Sequence, residues 1–383
     1  MRRRLSTLGS ARILRAGEGI LPSQTFMQGS STTGGASNKY RCGPSSSAPN
    51  TLQTCAPPIR MNESRLNQIQ DEAWAKGVVT GRGVDVANGP IPHKPGYYGQ
   101  PVVRPPVWTW EIPIYFFVGG LGGMSPVIAL GALLFHYFDV ARTAMWVAAI
   151  ASVLSPILLI LDLGRPHLFI NMLRVFKPQS AMSVGAWILV AFGMCVVPGL
   201  IALELQTFHP FGGALDQILG IAAGILMFGS AIFGMLLATY TGVLIGATVI
   251  PAWFLHHRVL PIHFGTAGLG SAAALLELFG YRIAPLNAIG LFAAAVETVL
   301  LIWLSVDKHG VADRAIHEHA SGWLIRIGGL FTGPFPLALR LFGVIPLAAI
   351  SFLLGALISR FGWIAVGKIS GRDPEAVLAS QKL

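Results

Sequence analysis

The sequence predicts an all-α integral membrane protein built as a bundle of about eight transmembrane helices. Of its 383 residues, 53% are hydrophobic and only 11% are charged, about half the charged share of an ordinary soluble domain. The apolar residues lie in long blocks, and about 20 apolar residues in a helix are enough to cross the hydrocarbon of a bilayer. We therefore expect membrane lipid to surround most of the chain.

Polar segments precede the apolar blocks. Residues 1–60 are rich in Ser, Gly and Arg without an apolar period, which is typical of a disordered tail. Alternatively, translation starts at Met61 and this stretch is mis-annotated. Residues 61–107 hold many prolines and glycines and predict an extended polar arm. The transmembrane domain is predicted at 108–372, followed by a C-terminal tail at 373–383.

Charges and prolines divide the apolar region into successive spans. The fourth block carries no charge from end to end and predicts one long, tilted helix. The stretch from Trp323 to Ser359 is interrupted by residues such as Pro334 and Arg340 and predicts two short spans, which makes eight. The first six predicted spans are Trp110–Phe135, Ala141–Leu161, Ser183–Leu203, Gln217–Ile250, Pro261–Leu278 and Leu286–Val306.

Glycines recur at four-residue spacing within two spans. Gly119 precedes Gly123, and Gly220 precedes Gly224. In lipid such spacing allows helix backbones to approach closely. These glycines therefore predict helix contacts and not a phosphate-binding loop.

Basic residues predict the orientation. With eight spans, eleven of them flank the side that holds both termini and three flank the other side, which favours cytoplasmic termini in a bacterial inner membrane. The net charge of +10 is scattered and forms no basic helical face, so nucleic-acid binding is not predicted. The two sets are Lys94, Arg104, Arg165, Arg174, Lys177, Arg258, Lys308, Arg314, Arg360, Lys368 and Arg372 against Arg142, Arg282 and Arg340.

The sequence predicts no haem and no iron–sulfur cluster on this chain. All ten histidines lie in tails, loops or span ends, so no pair is placed to hold haem between helices. Three cysteines, Cys42, Cys55 and Cys195, are too few for a four-thiolate cluster. No metal ligand set and no catalytic residue is predicted, and electrons must come from a partner if the protein takes part in redox chemistry.

Ionisable groups inside spans are costly and are therefore candidates for function. Glu111 and Tyr115 lie four residues apart on one face of the first span, where they either bind a quinone carbonyl or anchor the helix at the interface. Tyr240, in the fourth span, needs a polar partner. Glu297, the deepest carboxylate, is either a proton relay or a structural hydrogen-bond partner. Asp162 and Arg165, across the turn that ends the second span, are either a structural ion pair or part of the same chemistry.

Several motifs resemble the NrfD-type membrane subunits, the family of the polysulfide reductase membrane subunit. They occur in order over roughly 108–372: Trp110-Glu-Ile-Pro-Ile-Tyr115 with Gly119-Gly120-Leu-Gly, Asp162-Leu-Gly-Arg-Pro-His-Leu-Phe-Ile-Asn-Met-Leu-Arg174, Met182-Ser-Val-Gly-Ala-Trp187, Tyr240-Thr-Gly-Val-Leu-Ile and Trp363-Ile-Ala-Val-Gly-Lys368. The resemblance implies an eight-helix subunit that binds exchangeable menaquinone or ubiquinone. It further implies an iron–sulfur, ferredoxin-like partner subunit and usually a molybdopterin catalytic subunit.

The resemblance also implies roles for two tyrosines. Tyr115 occupies the position of a family histidine near the quinone head group, and Tyr240 resembles a quinone-side tyrosine. The implied function is that of a membrane anchor and quinone-reactive subunit of an oxidoreductase complex. The alternative is a secondary transporter or proton-translocating module without a redox role, against which no internal repeat with paired broken helices is visible.

Overall fold

The computed structural model describes residues 103, 108–162, 169–208, 213–307 and 310–381. All regular structure in these ranges is helical, and no strand occurs within them. The predicted all-α membrane class is confirmed. Residues 1–60 and the arm up to 107, apart from 103 itself, lie outside the described residues.

Seven described helices are long and apolar enough to cross a membrane. The first six coincide with the six predicted spans, and the fourth is a single helix of 33 residues, as predicted. The seven are α1 (Glu111–Leu134), α2 (Phe138–Asp162), α4 (Ala181–Phe208), α5 (Ala214–Gly246), α7 (Val259–Leu278), α8 (Ala284–Val306) and α12 (Ile345–Ser370). The shorter helices between and after them are α3 (Phe169–Arg174), α6 (Pro251–Leu255), α9 (Arg314–His317) and α13 (Pro374–Ser380).

An eighth crossing is formed by a broken helix. Helices α10 (Ala320–Thr332) and α11 (Pro334–Leu341) meet at Gly333, because Pro334 has no N–H to donate and disfavours helical geometry in the residue before it. Their 13 and 8 residues give about 31 Å of helix at 1.5 Å per residue, close to the thickness of the hydrocarbon.

Two short spans were predicted between Trp323 and Ser359, and the prediction was wrong for the second, which is a full-length helix. Helix α12 has 26 residues and continues to Ser370. Ser359 and Arg360 are therefore inside a membrane helix and not at its end. Both are buried, at 1% exposure. The physical reason is that the charge of Arg360 is enclosed by protein and does not mark the membrane surface.

The helices pack as two groups of four. Helices α1, α2, α4 and α5 form one group, and α7, α8, the α10–α11 pair and α12 form the other. Helix α1 touches members of both groups, since it packs against α2 and α5 on one side and against α7 and α12 on the other. A side chain on α1 can therefore reach polar groups from either half of the bundle.

A buried ion pair holds the second group together at one end. The guanidinium of Arg340, on α11, donates to both carboxylate oxygens of Glu277, on α7, at 2.6 Å each, and to Asn287 at 3.0 Å. Arg340 and Glu277 are almost fully buried. Arg340 therefore belongs to the core, and the prediction that it flanks the membrane as a loop charge was wrong.

Candidate quinone site and a buried polar cluster

Tyr115 is a buried phenol one turn inside α1. Only 3% of the residue is exposed, and its ring lies 5.6 Å from that of Phe116. No hydrogen bond between described residues satisfies its hydroxyl. Ser155, on α2, reaches the same region: an alanine methyl built at Gly119 would lie 3.7 Å both from the Ser155 hydroxyl and from the Tyr115 ring. The Ser155 hydroxyl is also buried and has no partner within the described ranges.

Tyr240 lies at the same end of the bundle. It is six residues before the end of α5, about 9 Å along the axis, while Tyr115 is four residues after the start of α1, about 6 Å. The two phenols are within electrostatic range of each other. The Tyr240 hydroxyl donates to the backbone carbonyl of Ala181, so only its oxygen lone pairs are left for a further partner.

Glu111 and Asp162 meet at Thr109. The Thr109 hydroxyl contacts a carboxylate oxygen of Glu111 and one of Asp162, the latter at 3.1 Å. Because a hydroxyl carries one hydrogen, it donates to only one carboxylate at a time. The backbone N–H of Thr109 also donates to Asp162 Oδ1, at 3.4 Å, so Asp162 keeps a partner when the hydroxyl donates to Glu111. Arg165 lies outside the described residues.

Two tryptophans cover the same end of the helices. Trp108 stacks on Trp253 with 5.5 Å between ring centroids, and its ring edge meets Phe116 at 6.2 Å. The ammonium of Lys368, in the last turn of α12, donates to the backbone carbonyl of Trp108 at 2.5 Å. This contact ties the end of α12 to the segment that leads into α1.

Glu297 is the centre of a separate polar cluster. The residue is 2% exposed. One carboxylate oxygen lies 2.7 Å from His263 Nδ1 on α7, and the other accepts from the Thr266 hydroxyl at 2.6 Å. The second ring nitrogen of His263 lies 2.8 Å from the Ser359 hydroxyl on α12. Three helices of the second group therefore meet at these side chains.

Arg360 completes this cluster. Its guanidinium lies over the ring of Phe264, 3.6 Å from the centroid, and donates to the Phe264 carbonyl at 3.0 Å. Its Nε and Nη1 atoms are buried and have no hydrogen-bond partner among the described residues. Glu297 is its electrostatic counterpart. A buried guanidinium with donors to spare is well suited to hold an internal water or to respond to a nearby charge.

Sequence reasoning missed Ser155, His263, Ser359 and Arg360. His263 lies within a predicted span, so a search for partners of the deep Glu297 would have found it. Arg360 was assigned to a loop because the predicted last span ended one residue earlier. Ser155 carries no sequence signal, since hydroxyls are common in membrane helices and usually donate to their own backbone.

The described residues contain no group of three or more His, Cys, Asp or Glu side chains placed to hold a metal ion. Polar groups at the candidate site are thus phenols, hydroxyls and carboxylates.

The family model described as "Polysulphide reductase, NrfD" matches residues 100–367, well over half of the sequence.

The chain belongs to this family.

This chain shares 27% identity over 188 residues with each of two relatives. One is "Protein NrfD" of Escherichia coli (strain K12), with the aligned segment covering 44% of this chain and 58% of the relative. The other is the C subunit of the polysulfide reductase of Wolinella succinogenes, with 45% and 58% covered. The similarity therefore spans less than two thirds of each relative. Together with the apolar helices, family membership identifies a multi-pass membrane protein.

Proposed function

We propose that this protein is the quinone-reactive membrane subunit of an oxidoreductase complex, and that the quinone head group binds beside Tyr115. The observation that carries the proposal is a pair of hydroxyls in one region: that of Ser155, buried without a partner among the described residues, and that of the largely buried Tyr115, which makes no hydrogen bond to a described residue. An unsatisfied buried polar group costs about 1–3 kcal/mol. A ligand carbonyl that accepts from these hydroxyls removes this cost, and a head group of two carbonyls on an apolar ring fits such a site.

The protein's own residues supply orientation and protons. When bound, menaquinone or ubiquinone supplies the redox chemistry, in which two electrons and two protons convert quinone to quinol. Tyr115 donates to one carbonyl and fixes the ring. Tyr240, held by Ala181, borders the site from α5. Glu111, which contacts Thr109 as Asp162 does, lies one turn away at the N-terminal end of α1 and is proposed to relay protons to the bound head group.

Electrons are proposed to arrive from an iron–sulfur, ferredoxin-like partner, itself served by a molybdopterin subunit. The Wolinella succinogenes relative is, by its name, one of several subunits of a reductase. The segment at the end of α3 provides a surface suited to docking. Here Arg174 and Lys177 flank Val175 and Phe176, and these two apolar residues are each more than half exposed. An exposed apolar pair between cations fits an acidic partner better than bulk water.

The proposed location is the bacterial inner membrane with cytoplasmic termini. Arg340 and Arg360 are buried, so one residue is removed from each side of the topological count, and the excess on the terminal side persists. A fluorescent protein fused to the C-terminus should fluoresce. Alkaline phosphatase activity at that position, with a dark fluorescent fusion, contradicts this orientation.

The central test is Tyr115→Phe with Tyr137→Phe as its control. Both changes remove one hydroxyl, but Tyr137 is 39% exposed at the opposite end of α1. We expect the Tyr115 variant to assemble and to lose quinone turnover by roughly tenfold, the equivalent of about 1.4 kcal/mol, with unchanged activity towards dyes that bypass the membrane subunit. Equal quinone turnover in both variants and the wild type places the head group elsewhere.

A further inference from the structure

His263, Glu297, Ser359 and Arg360 form a polar cluster that the proposed quinone site does not use. Glu297 is nine residues from the end of α8, and Arg360 is ten residues from the end of α12, about 14–15 Å of helix in each case. That depth is about half the hydrocarbon thickness. His263, four residues from the start of α7, reaches Glu297 from a position closer to its own helix end. Four polar groups that are costly to bury thus meet inside the bundle, and ionisable groups buried within membrane helices point to a function.

The hydrogen bonds of His263 accommodate two protonation states. When the imidazole is neutral, Nδ1–H donates to Glu297, 2.7 Å away, and Nε2 accepts from the Ser359 hydroxyl, 2.8 Å away. When it gains a proton, Nε2–H donates to the Ser359 oxygen, because a hydroxyl both donates and accepts. In both states each ring nitrogen of His263 has a hydrogen-bond partner. A purely structural His263–Glu297 pair does not need a hydroxyl such as that of Ser359, which can either donate or accept.

The charges of the cluster also leave room for one proton. Arg360 is positive at neutral pH, and an ionised Glu297 with neutral His263 then gives a net charge of zero. A further proton makes the cluster positive, which costs energy in a low-dielectric interior. Negative charge arriving nearby offsets that cost. The Nε and Nη1 atoms of Arg360 are buried donors without a partner among the described residues. They are therefore available to bind an internal water or to interact with a negative charge that arrives nearby.

A packed path joins this cluster to Tyr115. The Arg360 guanidinium lies on the Phe264 ring, the Phe264 ring is 5.9 Å from that of Phe116, and Phe116 is 5.6 Å from Tyr115. A methyl built at Gly120, on α1, would lie 3.8 Å from Arg360 Nη2. Gly120 is five residues from Tyr115. Charge at the head-group site therefore acts on Arg360 through apolar packing and is not screened by bulk solvent.

Other charged or titratable groups around the cluster are few. Helix α10 presents Gly328 to Ser359, and α6 is followed by His256, whose ring is 5.7 Å from Trp363, itself 6.3 Å from His263. From α1, Tyr115 is linked to the cluster through the rings of Phe116 and Phe264. The Glu277–Arg340 pair is fourteen residues along α7 from His263, about 21 Å, and neutralises itself.

We propose that His263 and Glu297 form a buried proton-binding site and that Arg360 couples its occupancy to charge at the Tyr115 site. The step is the gain of one proton from the aqueous phase by the pair, with no other bond made or broken. The proposed binding of a proton by His263 and Glu297 does not require a bound quinone. The coupling rests on the proposed function, because it requires a redox-active ligand beside Tyr115.

Infrared difference spectra of the purified full-length protein, recorded between two pH values without added quinone, test proton binding. We expect a carboxyl or carboxylate band that disappears in Glu297→Gln and persists in Glu204→Gln. Glu204 is the matched control, since it pairs with Arg142 at 2.5 Å near the edge of the bundle and is partly exposed. Identical spectra for the wild type and a folded Glu297→Gln variant overturn the proposal.

A milder variant keeps the test decisive if Glu297→Gln does not fold. Ser359→Ala removes only the hydroxyl that partners His263 Nε2. We expect the midpoint pH of the carboxyl band that persists in Glu204→Gln to move by about one unit, a tenfold change in proton affinity. An unchanged midpoint contradicts the role of Ser359 and His263, and leaves the cluster a static hydrogen-bond network.

The coupling has its own readout in the assembled complex. The midpoint pH of the band should differ between an oxidised and a reduced quinone pool, and the difference should shrink in Arg360→Gln but not in Arg360→Lys. Equal midpoints with both pools refute the coupling. A wild-type quinone rate in Tyr115→Phe refutes the proposed pocket instead, and the quinone-free infrared band is unaffected by that failure.

Discussion

Gly123 of α1 and Gly234 of α5 bring two helix backbones into direct contact. A methyl built at Gly123 would lie 2.4 Å from the carbonyl oxygen of Gly234, and one built at Gly234 would lie 2.1 Å from that of Gly123. Both distances are far shorter than a carbon–oxygen contact allows. The close approach sets the separation of the helices that carry Tyr115 and Tyr240.

Gly123→Ala should destabilise the protein, because the methyl group has to push α1 away from α5. Overpacking of this kind costs about 1–3 kcal/mol. The matched control is Gly131→Ala in the same helix, where nothing lies within 4 Å of the new methyl. Thermal unfolding in detergent should show a lower midpoint for Gly123→Ala only. A lowered midpoint in both variants attributes the effect to the helix and not to the contact.

The fold could be predicted wherever an apolar block was long enough to cross the membrane and held at most one charge. Six spans followed from length alone, because a stretch of about 20 apolar residues has few alternatives to a membrane helix. The prediction failed at Arg360, where the sequence indicates a surface and the structure provides Phe264 as a cover. Whether a charge ends a helix or is enclosed depends on tertiary neighbours that a local pattern does not contain.

The candidate site was predictable where spacing sufficed. Glu111 and Tyr115 share a face because they are four residues apart, and the depth of Tyr240 follows from its distance to the end of the block. The contact of Thr109 with Asp162 joins residues 53 apart, which no local rule reveals. The glycine pattern succeeded for Gly123 and was wrong for Gly224, which has no atom within 4 Å of a built methyl.

Gly185→Ala should displace Tyr240. A methyl at Gly185, on α4, would lie 2.0–2.3 Å from the Tyr240 ring and hydroxyl, so the ring has to leave its hydrogen bond to Ala181. We expect weaker quinone turnover with an assembled complex. Gly193→Ala, two turns further along α4 with nothing within 4 Å, should behave like the wild type. Unchanged turnover in both variants indicates that Tyr240 does not border the quinone.

Removing one partner of the Glu277–Arg340 pair should be costly, and removing both should not. Arg340→Met leaves Glu277 buried without a cation, which costs about 3–5 kcal/mol in comparable pairs, whereas apolar replacement of both partners is often neutral. Glu277→Leu combined with Arg340→Met should therefore unfold near the wild-type midpoint. A double variant as unstable as the single one means that packing of the guanidinium, including its contact with Asn287, matters more than charge.

Asp313, which lies outside the membrane spans, should make the stability of the protein depend on pH. Its residue is fully buried between α8 and α9, with one carboxylate oxygen 3.0 Å from His317 Nε2 and the other without a partner among the described residues. Burial, and next the nearby Asp307, raise the pKa of Asp313 from 3.8 to about 7. Between these two values the folded protein binds a proton that the unfolded protein releases.

The stability contributed by protonated Asp313 is therefore fully present below pH 3.8 and is lost as the pH rises through about 7. Asp313→Asn keeps the shape of the protonated side chain but cannot ionise, so this loss disappears in the variant. Unfolding midpoints of the two proteins should be similar below pH 3.8, diverge as the pH rises to about 7 and differ by a constant amount above it, where the wild type is the less stable of the two. Parallel curves across this range mean that Asp313 has the same pKa in the folded and unfolded states. A wild type that gains stability relative to the variant as the pH rises means that His317 holds the ionised carboxylate in place.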